Sequence, residues 1–155
     1  MATPLRSVAW IHGAPDCGRS TDPLVQVHPL DEDTFVLRVS KCFSFEGNFL
    51  YLLLGEARAV LFDTGPRPDP AAGDRVLPIR RVVDGIVAGW RRSHGLDAID
   101  LVMVHTHGHG DHVAWDRDFQ VGPRTSVVPP TLPGAALPRS PGLAGRRGPP
   151  WAGGR

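Results

Sequence analysis

The sequence predicts an α/β layered domain, and three observations carry that prediction. Two short β-rich runs, Phe49 to Leu54 and Ala59 to Phe62, are joined by the turn Gly55-Glu56-Ala57-Arg58, the length and composition of a β-hairpin. Between Leu77 and Trp90, apolar residues fall at 79, 82, 83, 86, 87 and 90, the three-and-four spacing of one buried helical face. Ile99 to Val104 is an almost wholly apolar strand of the kind buried on both faces, and it runs directly into a dense polar motif. Strand, helix and strand with polar residues beyond a strand end describe an α/β fold, in which sites gather at such ends.

The remaining elements follow along the chain. Thr34 to Val39 is β-rich and comes after the turn-like Asp31-Glu32-Asp33, so it reads as a strand preceding the hairpin. The hairpin ends at Asp63-Thr64-Gly65, and Pro66, Pro68 and Pro70 then enforce a loop. Gly85 and Gly89 weaken the helix without cancelling its pattern, and Gly95 closes it. Thr125 to Val128 reads as a last strand.

The chain has 155 residues, of which 41% are hydrophobic and 21% charged, values that fit one globular domain and exclude a coiled-coil or collagen-like chain. The longest apolar run, Phe49 to Leu54, is far short of the roughly 20 residues of a membrane-spanning helix. Met1 to Ile11 lacks a secretory apolar region, which sets a soluble, cytoplasmic expectation with no membrane partner. Cys17 and Cys42 match neither a disulfide framework nor a zinc knuckle and are expected to be reduced thiols.

Charge divides the chain at about residue 128. Pro129 to Arg155 holds four Arg, seven Pro and six Gly with no Asp or Glu, which leaves a net charge of −3 on residues 1–128. Such a stretch cannot bury enough apolar surface to offset its ordering entropy, so a domain over 1–128 and a disordered tail over 129–155 are expected. Four scattered Arg give thin support for a nucleic-acid arm, and nucleic acid is not an expected partner. Lys41 is the one lysine of the chain, against 16 Arg, which points to coding DNA rich in G and C. In such DNA a shifted frame yields Pro, Gly, Arg and Ala, so the tail is read as a frameshift or truncation product.

Chemistry concentrates in His105-Thr106-His107-Gly108-His109-Gly110-Asp111-His112, where four of the seven histidines lie within eight residues beside one carboxylate. Imidazole with carboxylate is a ligand set for zinc, iron or manganese. In an extended loop, residues two apart project to the same side, so His107 and His109 approach one ion. Asp111 and His112 follow a glycine that permits a sharp turn toward a neighbouring ion. The bland alternative is a hydrophilic loop of solvated histidines, which fits a lone histidine better than this spacing. His12, His28 and His94 are read as solvated loop residues, and Trp10, Phe43, Phe45 and Phe49 as packing.

The run Thr106 to His112 resembles the His-x-His-x-Asp-His signature of the metallo-β-lactamase fold superfamily, and Val60-Leu61-Phe62-Asp63-Thr64-Gly65 resembles that family's strand ending in Asp-Thr-Gly. Together they cover about residues 25–128. The resemblance implies an αββα sandwich in which His107 and His109 serve one metal, and Asp111 and His112 the other. Asp63 would orient the histidine loop instead of holding metal. His105 ends a buried strand and is read in a hydrogen-bonded structural role, with support of the metal ligands from behind as the alternative. The implied cofactor is zinc, two ions in the family, with iron or manganese as alternatives. Metal lowers the pKa of bound water toward about 7 and polarises the group under attack, with Asp111 as the catalytic residue that also holds the water. The implied substrates are small-molecule esters, thioesters, lactams or phosphoesters.

Family members add a third His, a bridging Asp and a final His further along, whereas this chain has no histidine after His112, and Asp116 and Asp118 lie too close to the motif to bridge. Trp115 stands where the family has a small residue. The chain therefore reads as the N-terminal half of such a hydrolase, with a non-catalytic metal-binding or defunct truncated fragment as the alternative. Homo-oligomerisation through an exposed sheet face is a further expectation.

Overall fold

The computed structural model describes residues 5–13 and 16–130 and contains one six-stranded sheet in a mixed α/β arrangement. Its strands are β1 (Val25–Pro29), β2 (Thr34–Val39), β3 (Phe49–Leu53), β4 (Arg58–Phe62), β5 (Asp100–Val104) and β6 (Thr125–Val127), side by side in sequence order. The first four form an antiparallel meander, while β4 pairs with β5 and β5 with β6 in parallel. Helix α1 (Ile79–Ser93) makes the crossover from β4 to β5. The short helices α2 (Gly110–Val113) and α3 (Asp116–Gln120) lie between β5 and β6. Neither β1 nor these two helices carries a sequence pattern long enough to announce it.

Period-two alternation places Leu50, Leu52, Ala59, Leu61, Leu101 and Met103 on one face of the sheet, all buried. Helix α1 packs there through buried Ile79, Val83 and Trp90 and half-buried Val82, Ile86 and Val87, the six positions of its apolar spacing. Strand β5 departs from the expectation of burial on both faces: Leu101 and Met103 are buried, but Val102 and Val104 are only half-buried. The reason is that the helical layer covers one face alone. On the other face the register sets Tyr51 beside Phe62 beside Val104, and Leu53 beside Val60 beside Val102. This apolar grid leaves Tyr51 45% and Leu53 41% exposed.

The same face is partly covered toward β1 and β2 by the N-terminal arm. Trp10 packs edge-on against His28 and Phe49, and Ile11 N–H donates to Gln26 Oε1 at 2.8 Å. His28 is thus a buried residue of β1 and not a solvated loop histidine. His94 is likewise engaged, stacked on Trp90 at the end of α1. The expectation of reduced thiols also fails, because Cys17 and Cys42 form a disulfide with Cα atoms 5.3 Å apart. Lys41 N–H bonds His12 O at 3.2 Å, so the arm returns to the loop after β2 and brings Cys17 to Cys42. Cysteine counting cannot foresee a contact made by chain reversal.

Among the described residues no helix is long and apolar enough to cross a membrane. The expected disordered tail lies outside the described residues from 131 onward. The disulfide closes a sequence separation of 25 residues. Loop-closure entropy for that length predicts that reduction lowers stability by about 3 kcal/mol. Urea unfolding midpoints with and without a reductant, in wild type and in the Cys17→Ser/Cys42→Ser variant, check this. Reduction should shift wild type to the midpoint of the variant.

Candidate metal centre

The parallel pairing of Phe62 with Val104 puts Asp63 and His105 at adjacent strand ends, and Asp63 N–H continues the ladder by donating to Val104 O at 2.8 Å. Asp63 then adopts φ 64° and Gly65 φ 99°. Aspartate tolerates that left-handed conformation better than most residues, and at Gly65 a Cβ would meet Leu77 at 3.0 Å. The turn holds the start of the next helix as well. Thr64 N–H donates to His112 O at 2.7 Å, and Ala114 N–H to Gly65 O at 3.2 Å.

This geometry leaves the buried Asp63 carboxylate beneath the histidine loop. Oδ1 accepts from Thr106 N–H at 2.8 Å, and Oδ2 accepts from Thr106 Oγ1 at 2.9 Å. His112 Nδ1 lies 2.8 Å from Asp63 Oδ2 and donates to it, which fixes the tautomer and turns the Nε2 lone pair outward. That Nε2 lies 2.8 Å from Asp111 Oδ2. His107 completes the group: one donor atom each from His107, Asp111 and His112 falls within 4.8 Å of the others. The His107 ring stands 4.0 Å from that of His112 and 4.5 Å from that of His109, which makes an edge contact outside the three-residue group. The structure thus brings Asp111 and His112 to His107, where the spacing had set them toward separate ions.

The donors fit a divalent ion on chemical grounds. Two imidazoles and a carboxylate converge, and the one nitrogen of His112 that faces them is freed by Asp63 for a ligand's role. Two further residues approach from the loop after β2, which nothing in the sequence pattern singles out. Asn48 Nδ2 donates to Asp111 Oδ2 at 3.2 Å, and Glu46 hydrogen-bonds Asp111. Burial alone would raise the Asp111 carboxyl, but hydrogen bonds from Glu46, its own N–H and Asn48 outweigh it and hold it below the usual aspartate range. The hydrogen bond to Asp111, then burial and the Asp111 charge, push Glu46 above the usual glutamate range.

His105 occupies the position behind this site. Its side chain is fully buried, with Nε2 3.1 Å from Asp116 Oδ2 and Nδ1 3.8 Å from Asp63 Oδ1. Both are ion-pair distances, but neither nitrogen meets hydrogen-bond geometry within the described residues. Trp115 donates its indole N–H to Pro66 O at 2.7 Å and packs on Phe43, so the large residue is accommodated. A cleft beside Asp111, about 170 Å³, is bounded by Phe45, Glu46, Pro66 and Arg67.

The two carboxyls have opposite linkage to pH. Asp111, depressed, adds stability above the ordinary aspartate value and loses it as pH falls through its folded value. Glu46, raised, contributes in acid and loses that contribution as pH rises through its folded value. Both effects are small, because both groups lie near solvent. Asp111→Asn removes the main cause of the Glu46 shift, so ¹³C NMR titration of the Glu46 carboxyl should give a higher midpoint in wild type than in the variant.

No protein-family model matches the sequence, and no curated protein matches it. Comparison with solved structures finds a likeness to the crystal structure of DIM-1 metallo-beta-lactamase exposed to ceftazidime, at 18% identity and a TM-score of 0.40. The match covers 70% of this chain and 44% of that one, so the chain spans less than half the length of that enzyme.

Proposed function

We propose that the chain is a metal-dependent hydrolase centre of the αββα metallo-β-lactamase type, acting on an ester, thioester, lactam or phosphoester. The observation that carries this reading is the convergence of His107, Asp111 and His112 within 4.8 Å, with His112 already oriented by Asp63. His107, Asp111 and His112 would hold the ion, with His109 as the further ligand beside His107. Zinc suits two imidazoles and a carboxylate, with iron or manganese as the alternatives. When bound, such an ion supplies an acidified water and polarises the carbonyl or phosphoryl group under attack. Asp111 would also hold the attacking water through its carboxylate. Glu46 reaches Asp111 from the loop after β2, and that contact holds its carboxyl above the usual glutamate range. The cleft bounded by Phe45, Pro66 and Arg67 is the natural place for the substrate.

A second reading, a metal-binding protein without turnover, draws on the limited ligand set. Three described donors leave several positions of an ion to water, with correspondingly less control of the nucleophile. The apolar grid of Tyr51, Leu53, Phe62 and Val104 favours a further body packed on the sheet, and a second copy of the chain is the partner we propose for it. Cys17–Cys42 favours an oxidising compartment over the cytoplasm.

Two measurements separate these readings. Zinc uptake in equilibrium dialysis should be lost in His107→Ala/His109→Ala and retained in His12→Ala; equal uptake in both would remove the loop from the site. With zinc or manganese supplied, hydrolysis of a panel of activated esters, thioesters, lactams and phosphodiesters should exceed the His107→Ala background and disappear with a chelator. Metal uptake without such turnover would select the non-catalytic reading.

A further inference from the structure

Asp116 has both carboxylate oxygens directed into the fold. Oδ1 accepts from Thr64 Oγ1 at 2.8 Å, and Oδ2 lies 3.1 Å from His105 Nε2. The His105 side chain is fully buried between two acids, and the Asp63 contact on its other side is longer, 3.8 Å. Neither ring nitrogen of His105 meets hydrogen-bond geometry among the described residues, and both face a carboxylate at ion-pair distance. Asp63 Oδ1 accepts from Thr106 N–H at 2.8 Å, and Asp116 is the acid nearer to the imidazole.

We propose that Asp116 is a positioning residue of the metal centre, the far end of a buried line Asp116, His105, Asp63, His112 that sets the orientation of His112. The proposal rests on the metal reading given above. Two physical steps support it. Asp116 accepts a hydrogen bond from Thr64 in the Asp63-Thr64 turn and lies against His105 at the end of β5, so it resists separation of the two strand ends. That turn carries Asp63 at φ 64°, a conformation that persists only when its surroundings hold it. Asp63 in turn holds His112 Nδ1 at 2.8 Å, so any drift of the turn is passed to a ligand. Partners that orient metal ligands from behind are typically worth about 10- to 100-fold in affinity. Simple capping of α3 does not account for the contacts, since both point away from that helix, to Thr64 and His105.

Cobalt(II) titration of the full chain against a chelating dye tests this, with the visible absorption of the bound cobalt as a second readout. Asp116→Asn keeps the volume and an acceptor for Thr64 but turns an amide toward His105. It should weaken cobalt binding about 10- to 100-fold and alter the cobalt spectrum. His105→Gln should do the same, and the double variant should lose no more than the worse single one, since the two act in one line. Asp118→Asn on the same helix should remain within twofold of wild type. Far-ultraviolet dichroism checks folding; if Asp116→Asn does not fold, Thr64→Val removes one Asp116 contact and should give a smaller loss of affinity with the same spectral change. Cobalt affinity within twofold of wild type and an unchanged spectrum in folded Asp116→Asn, or in Thr64→Val where that variant stands in, would overturn the assignment of Asp116 alone. Absence of cobalt binding by wild type would overturn the metal reading itself.

Discussion

Three hydrogen bonds converge on the Asp63 carboxylate, from Thr106 N–H, Thr106 Oγ1 and His112 Nδ1, and they tie the end of β4 to both ends of the histidine loop. A buried carboxylate without such partners would be costly, so the loop and the acid depend on each other. The polypeptide meets that requirement with a left-handed aspartate followed by a glycine that leaves room for Leu77. Remove the convergence, and neither the tautomer of His112 nor the approach of His107 to Asp111 is specified.

The sheet makes this convergence available. Parallel pairing aligns the carboxyl ends of β4 and β5, so the Asp-Thr-Gly turn and the histidine motif emerge side by side from strands distant in sequence. Antiparallel pairing of β2 with β3 then delivers the 40–48 loop, with Glu46 and Asn48, to the opposite side of Asp111. Two separate stretches of chain, the 40–48 loop and the histidine motif, therefore surround the Asp111 carboxylate. Its ionisation is set by neighbours that no single stretch contains.

Much of this was legible in the sequence, for local reasons. The six apolar positions of α1 face the core because a 3.6-residue period admits no other stripe, and Thr34–Val39 is a strand with the bounds its composition suggests. The histidine motif was visible because its donors are contiguous. Asp116 lies close to the motif in sequence, and α2, the short helix that contains His112, turns the chain so that Asp116 reaches Thr64. Glu46 and Asn48 had no local signal, since their role exists only once β2 and β3 pair. The disulfide and the one-sided burial of β5 were hidden for the same reason: each depends on what packs against what.

The parallel pairing of β4 with β5 joins residues roughly forty positions apart, such as Arg58 and Asp100. The meander from β1 to β4 closes through turns of a few residues to about ten, so its loop-closure entropy is met early, whereas the β4–β5 ladder must wait for α1 to form and dock. The histidine loop hangs from the end of that late ladder. An ion captured there meets a site assembled in the closing steps of folding, and its binding energy is added where the chain is last to become ordered.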